Sequence, residues 1–358
     1  MTPLARLRER GWGRGPTPRG SVLIVVLWTL TLLSILVAVI AAQVRLSAQA
    51  ARLHREDLQQ WAALSSALNQ AEMELLLSHM PPSTESQELT ALGRPEQLRF
   101  NGEPLTLHYP QEQNVVVRIY DHAGKINLRS LRLGRMRELL AKKLGKDPDP
   151  TQLSALMSAW TDWTDLNDAA APDGAESEYY LALDPPYRPR NGPIESVEEI
   201  LLIKGFAEIF ADVDLDAAFT LYDDSNDQIN LNVATVEAMQ LLPGLDDELI
   251  QRILDYRREK QFTGLGDVAQ LIPAENLAVL RPWLNNTRYS NYYSILVYPR
   301  LEHPDAAGVM QDVATTALGE IVEALPAATT RPRTFKINPY QRIPLRASSP
   351  TAKDKDKE

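Results

Sequence analysis

The sequence predicts an α+β fold in which a long N-terminal helix packs on a small antiparallel sheet, and the sheet is interrupted by an inserted all-α domain. Three observations carry this prediction. An apolar run from Val22 to Ala42 opens a stretch free of Pro and Gly as far as Met80. Two groups of strand-like sequence lie far apart, one between Leu105 and Tyr120 and the other beginning at Tyr292. Between them nearly every segment carries helical periodicity, so one sheet with a helical insertion accounts for the order of elements.

Composition bounds the chemistry. The chain has 358 residues, 44% of them hydrophobic, enough to bury a core, and no cysteine. Disulfides, thiolate metal sites, Cys nucleophiles and Cys-x-x-Cys redox pairs are therefore excluded. The formal net charge is −10, yet residues 1–20 carry Arg6, Arg8, Arg10, Arg14 and Arg19 against Glu9, a net of +4, which leaves −14 for the remainder. A body of that sign repels phosphate backbones.

The first element is the apolar helix. Val22 to Ala42 are 21 consecutive uncharged residues, and a helix of about 20 residues spans the hydrocarbon core of a bilayer. A cleaved secretory signal has the same basic start, but its apolar core is about 7–15 residues long and ends in a small-residue cleavage region, whereas here a helical pattern continues from Gln43. Arginines crowd the N-terminal side, which places that end in the cytoplasm and exports the body. Further on, Trp61, Leu64, Leu68, Ala71 and Leu75 recur at spacings of three and four and form one apolar stripe. The stripe is a candidate seam for partner helices, and equally a seam against the chain's own sheet. Pro81 and Pro82 end the helix.

Arg19-Gly20 followed by Ser21-Val22-Leu23-Ile24-Val25-Val26-Leu27-Trp28 resembles the prepilin-peptidase site of type IV pilins and type II secretion pseudopilins. The resemblance implies cleavage after Gly20 and a methylated N-terminus at Ser21. The fifth mature residue of that class is usually Glu, which neutralises the terminal amine of a neighbouring subunit; here it is Val25. A subunit without this carboxylate fits at the end of a fibre, where nothing precedes it. Within the class this departure is typical of the minor pseudopilin K family of type II secretion, which implies a pilin-like fold at the pseudopilus tip.

The remaining elements come in order. Leu105, Leu107 and Tyr109 alternate, and Val115 to Tyr120 is rich in β-branched residues. Helices are expected over Leu131–Leu144, Thr151–Trp163, Val197–Lys204, Val236–Leu242, Asp247–Lys260 and Val268–Leu271. The second strand group runs from Tyr292 to Tyr298, with Val309–Val313 and Phe335–Ile337 as weaker candidates. The expected organisation is a leader at 1–20, a long helix at 21–80, a first part of the sheet domain at 81–125, the inserted domain at 126–284, a second sheet part at 285–345 and a solvated tail at 346–358.

The insertion holds an internal echo. Lys125-Ile126-Asn127-Leu128 and Gln228-Ile229-Asn230-Leu231 each place an Asn where it can cap the helical block after it. The second continues through Leu241-Leu242-Pro243-Gly244-Leu245 in the manner of a helix-hairpin-helix, and Ile203-Lys204-Gly205-Phe206 resembles a partial second unit. Such units often bind DNA phosphates at a helix N-terminus. Here Asp246, Asp247 and Glu248 occupy that position and would repel a phosphate.

Between Thr161 and Glu178 lie Asp162, Asp165, Asp168, Asp173, Glu176 and Glu178, with Asn167 and without one Lys or Arg. Like charges at this density either spread into solvent or gather around a cation, and flanking Trp160, Trp163, Tyr179 and Tyr180 favour packing. Calcium, with six to eight oxygen ligands in flexible geometry, suits such a loop, although the spacing is not that of an EF-hand. The run Asp162-Trp163-Thr164-Asp165, Asp173 to Tyr180 and Asp184-Pro185-Pro186-Tyr187 is similar to the signature region of the pseudopilin K family, whose inserted domain binds calcium. The candidate ligands are Asp165, Asp168, Asp173 and Glu176, then Asp162 and Asn167. Asp223, Asp224, Asn226 and Asp227 form a second candidate site or cap the turn before Ile229.

Enzyme signatures are weak. The five histidines are scattered, no nucleophile elbow or phosphate loop occurs, and Gly264-Leu265-Gly266-Asp267-Val268-Ala269 comes after a charged helix where a dinucleotide site needs a strand. The expectation is a non-enzymatic, single-pass protein of the bacterial inner membrane with a periplasmic body, priming or capping a pseudopilus. Its expected partners are other minor pseudopilins, the prepilin peptidase, the inner-membrane assembly platform, and secreted substrates or the outer-membrane channel, with no nucleic acid. The rival is a membrane-anchored helix-hairpin-helix DNA receptor.

Overall fold

The computed structural model describes residues 21–79, 100–105, 115–222, 227–285, 288–299, 316–325 and 333–344. The chain divides into two units, Met1–Ala62 and Ala63–Glu358.

In the first unit the described residues belong to α1 (Ser21–Ser78), a helix of 58 residues that continues into the second unit. Its apolar N-terminal part is long and apolar enough to cross a membrane, and none of it is buried. Thr29, Thr31 and Ser34 turn their hydroxyls back onto the carbonyls of Val26, Trp28 and Leu30, so the polar atoms of this stretch are satisfied within the helix. Val25 lies on this exposed surface. Gly20 is outside the described residues.

The second unit contains two cores. One joins the C-terminal part of α1 to a five-stranded antiparallel sheet of β1 (Asn101–Leu105), β2 (Val115–Asp121), β5 (Tyr292–Pro299), β6 (Thr316–Leu325) and β7 (Arg333–Pro344), in the order β1-β2-β5-β6-β7. β2 and β5 alternate buried and half-buried residues along their length, as the half-covered face of an antiparallel sheet requires. Leu64, Leu68, Ala71 and Leu75 pack against Val117, Ile119, Ile295, Val297 and Val322. Those four stripe residues are therefore consumed by the chain's own sheet and are not a partner-facing surface; only Trp61, at 47% exposure, remains open. Sheet burial wins because an exposed stripe of this size would forgo about 1.5–3 kcal/mol per large side chain.

The helical insertion leaves the sheet at one point. Asp121 at the end of β2 pairs with Tyr293 at the start of β5, and its Oδ1 accepts the amides of Ala123 at 2.8 Å and Ser290 at 3.0 Å. Next to it, buried His122 bridges Thr220 Oγ1 at 2.6 Å and Ser294 Oγ at 2.7 Å, tying the exit and the return of the chain together. Burial, with Lys125 close by, holds this imidazole well below its ordinary pKa.

The insertion comprises α2 (Leu133–Leu144), α3 (Pro150–Thr164), α4 (Ser177–Leu181), a 3-10 turn (Val197–Leu202), α5 (Phe206–Ile209), α6 (Leu215–Ala218), α7 (Val236–Leu241), α8 (Asp247–Glu259), α9 (Leu265–Ala269) and α10 (Ala274–Leu280). Its core is aromatic, with Trp163, Tyr180, Phe206, Phe210, Phe219 and Trp283 among the fully buried side chains.

The structure corrects several expectations. The insertion is not all-α: β3 (Ile126–Asn127) pairs in parallel with β4 (Phe219–Thr220), two strands too short to leave a periodic signal. The echo is a repeated turn, not a pair of helix caps. Asn127 Oδ1 accepts Arg129 N at 2.9 Å and Asn230 Oδ1 accepts Asn232 N at 2.9 Å, while Thr235 caps α7 and the residue before α2 is Arg132, whose side chain caps nothing. The segment expected as a helix over Val197–Lys204 is a 3-10 turn that stops at Leu202. Leu107, Tyr109 and Val309–Val313 lie outside the described residues, and β7 extends well beyond Phe335–Ile337.

Candidate metal centre

α3 begins with Asp149, whose carboxylate accepts Thr151 N at 2.9 Å, followed by Pro150 in the first turn. The helix drives Trp160 and Trp163 into the aromatic core and carries Asp162 with them to 1% exposure. A carboxylate so buried needs donors. The chain supplies them by folding back, so that Asp162 accepts Ala171 N at 3.1 Å and Ala175 N at 2.8 Å. Gly174 permits this approach, because a Cβ at that position would stand 2.0 Å from Asp162 Oδ2. Asp173, with φ 61°, makes the preceding turn.

α3 ends at Asp165, whose Oδ1 accepts Asn167 N at 3.0 Å. Asn167 in turn caps Ala169 N at 2.8 Å, and its carbonyl accepts Asn191 Nδ2 at 2.9 Å. Asp168 Oδ1 accepts Ser177 N at 3.2 Å, and the hydroxyl and amide of Ser177 hold its carboxyl below the usual range. Glu176 completes the loop. It is buried, and neither of its carboxyl oxygens finds a hydrogen-bond donor among the described residues. Burial pushes its pKa up to about 7, and the charges of Asp162, Asp165 and Asp168 push the same way.

One carboxylate oxygen from each of Asp162, Asp165 and Glu176 lies within 4.8 Å of the others. Of the six candidate ligands, these three converge and Asp168 stands beside them. Asn167 and exposed Asp173 build the turns around the cluster. Three acidic groups packed together, one of them the orphaned buried carboxyl of Glu176, form a site that a hard cation would satisfy and that no side chain of the loop does. The loop's own donors, the amides of Ala171, Ala175 and Ser177, carry no sequence signature. Lys204, which reaches the loop from the hairpin before α5, was visible only as part of that hairpin.

The second acidic patch differs. Asp223, Asp224 and Asn226 lie outside the described residues. Asp227 is not available as a metal ligand, because Arg132 grips it through Nε and Nη2 at 2.7 Å each and Arg135 Nε stands 3.4 Å away. Hydrogen bonds from Arg132, with both arginine charges, hold its carboxyl below the usual range. At the helix-hairpin-helix-like unit, Asp246 Oδ1 accepts Leu249 N at 2.8 Å, so the N-terminus of α8 is satisfied internally.

Residues 121–212, which hold the whole acidic loop, match the sequence model of the family described as Type II secretion system (T2SS), protein K. Over these residues the chain is similar to the type II secretion protein K family. Type II secretion system protein K of Klebsiella pneumoniae is 26% identical over 167 residues, covering 44% of this chain and 50% of that protein, so the match spans about half the length of the curated relative. A chain in the crystal structure of the GspK-GspI-GspJ complex from the enterotoxigenic Escherichia coli type 2 secretion system superposes with a TM-score of 0.50 at 15% identity, covering 81% of this chain and 98% of that one. That likeness is one of fold. The family read from the leader and the acidic loop is thus borne out, as is the α+β class with its long apolar helix and small antiparallel sheet.

Proposed function

We propose that this protein is a minor pseudopilin of a bacterial type II secretion system, acting at the pseudopilus tip by assembly and not by catalysis. The observation that carries the reading is the presence, on one chain, of a protein K domain and an apolar helix with Val25 at the fifth position after Gly20. The helix anchors the subunit in the inner membrane with its N-terminus in the cytoplasm and its body in the periplasm. Without a carboxylate at Val25 it starts a fibre and does not extend one. The fold shared with a chain from the GspK-GspI-GspJ complex supports other minor pseudopilins as its partners. After Gly20 is cut, mass spectrometry of the mature protein is expected to find a methylated Ser21. Co-expression with the other minor pseudopilins of the same system is expected to yield a stable complex, and recovery of the chain alone would contradict the reading.

Calcium belongs to this proposal. The orphaned carboxyl of Glu176, buried beside Asp162 and Asp165, fits a hard divalent cation. These three residues would hold it, with Asp168 as the nearest further oxygen donor, and the ion would neutralise the cluster and fix the loop. Asn167 and Asp173 then serve the loop's turns and not the ion.

A further inference from the structure

We propose that Lys204 is the positioning residue of the acidic loop, clamping its backbone so that Glu176 is held against Asp162 and Asp165. This rests on the cation reading above and goes beyond it by assigning the preorganisation of the site to a residue outside the loop. Lys204 sits in the hairpin Ile203-Lys204-Gly205-Phe206, which in sequence looks like part of a helix-hairpin-helix. In the structure this hairpin grips the chain itself. Its Nζ donates to the carbonyls of Asp173 at 3.2 Å and Gly174 at 3.0 Å, and stands 4.9 Å from the centre of the Tyr179 ring. One ammonium thus touches the chain on both sides of Glu176.

The clamp is itself anchored. Gly205 has φ 82°, and Ile203 and Phe206 on either side of the Lys204-Gly205 pair are buried. Phe206 stacks on Trp160 with ring centres 6.0 Å apart, and Trp160 lies two residues before Asp162 on α3. Lys204 N also donates to Tyr180 Oη at 3.2 Å. The hairpin is therefore tied both to α3, through Phe206 and Trp160, and to the loop, through Lys204. Among the described residues Lys204 makes no ion pair; its charge goes to two carbonyls and a ring.

This geometry gives a test whose sign is informative. A lysine acting only as a nearby positive charge would oppose a bound cation, so removing it would tighten calcium binding. A clamp does the reverse. In the full chain held in detergent, Lys204→Met is expected to weaken calcium binding by about tenfold or more in isothermal titration, the usual effect of losing an outer-shell partner. Lys204→Arg, which retains donors and a cation for the ring in a different geometry, is expected to bind calcium more tightly than Lys204→Met. In chelator, amide exchange at Ala171 and Ala175 is expected to accelerate in Lys204→Met. Unchanged or tighter calcium binding with unchanged exchange in Lys204→Met overturns the clamp. Absence of calcium binding in the wild type would defeat the cation reading instead, and the exchange measurement would still decide the clamp.

Discussion

Asp227 and Glu176 are equally buried, each at 4% exposure, yet their surroundings are opposite. Asp227 is held by Arg132 and Arg135, whereas Glu176 faces only other carboxylates and finds no donor among the described residues. One acidic patch has its cations built into the chain. In the other, Lys204 spends its charge on backbone carbonyls, no cation among the described residues pairs with Glu176, and that carboxyl must either keep a proton or take an ion from solution. Burial alone therefore does not separate a carboxylate paired within the chain from one left without a counter-charge; the sign of its neighbours does.

The largest expected effect lies on the self-sufficient side. Asp227→Ala removes the carboxylate shared by Arg132 and Arg135, leaving largely buried Arg135 with Glu138 at 3.5 Å as its remaining ion pair, and is expected to cost about 3 kcal/mol in denaturant unfolding, with or without calcium. A loss that disappears when calcium is added would erase the distinction between the two sites. Next, calcium at about 100 times its dissociation constant should stabilise the wild type by about 2.7 kcal/mol relative to chelator. Glu176→Gln keeps the shape, removes the charge, and should abolish most of that gain.

A smaller effect is the pH dependence of the metal-free protein. The pKa of Glu176 is pushed up to about 7 in the folded chain, against about 4.3 for an unperturbed glutamate. The unfolded chain thus binds fewer protons between these values. The stability tied to this group is complete below the unfolded pKa and is lost as pH rises through about 7. Thermal melts in chelator from pH 5 to 8 should therefore show wild type losing stability relative to Glu176→Gln, and calcium should flatten the difference. The smallest effect is expected for exposed Asp173→Asn, with a change in calcium affinity below about threefold, as befits a screened surface charge.

How far this contrast could be read in the sequence depends on distance along the chain. The acidic loop was legible because Asp162, Asp165 and Glu176 sit in one stretch without a basic residue, and flanking aromatics argue for packing. Choosing among its acids required the fold: α3 turns Asp162 inward, while Glu178, two residues beyond Glu176, is exposed. The arginines of Asp227 were not legible, since they lie 95 residues away for Arg132 and come together only through α2. Among the fold elements, β2 and β5 announce themselves by β-branched and aromatic runs. β6 does not. Ala317, Leu318, Glu320, Ala324 and Leu325 favour helix by propensity, and the strand is imposed by its pairing with β5 and β7. The stripe on α1 was visible by its spacing, but spacing alone does not distinguish a partner from the chain's own sheet.

Isothermal titration of calcium into the full chain and into Glu176→Gln and Asp227→Asn tests the central contrast most directly. Binding is expected in the wild type and in folded Asp227→Asn, and is expected to be lost in Glu176→Gln. Calcium binding that survives in Glu176→Gln and vanishes in Asp227→Asn would contradict the account.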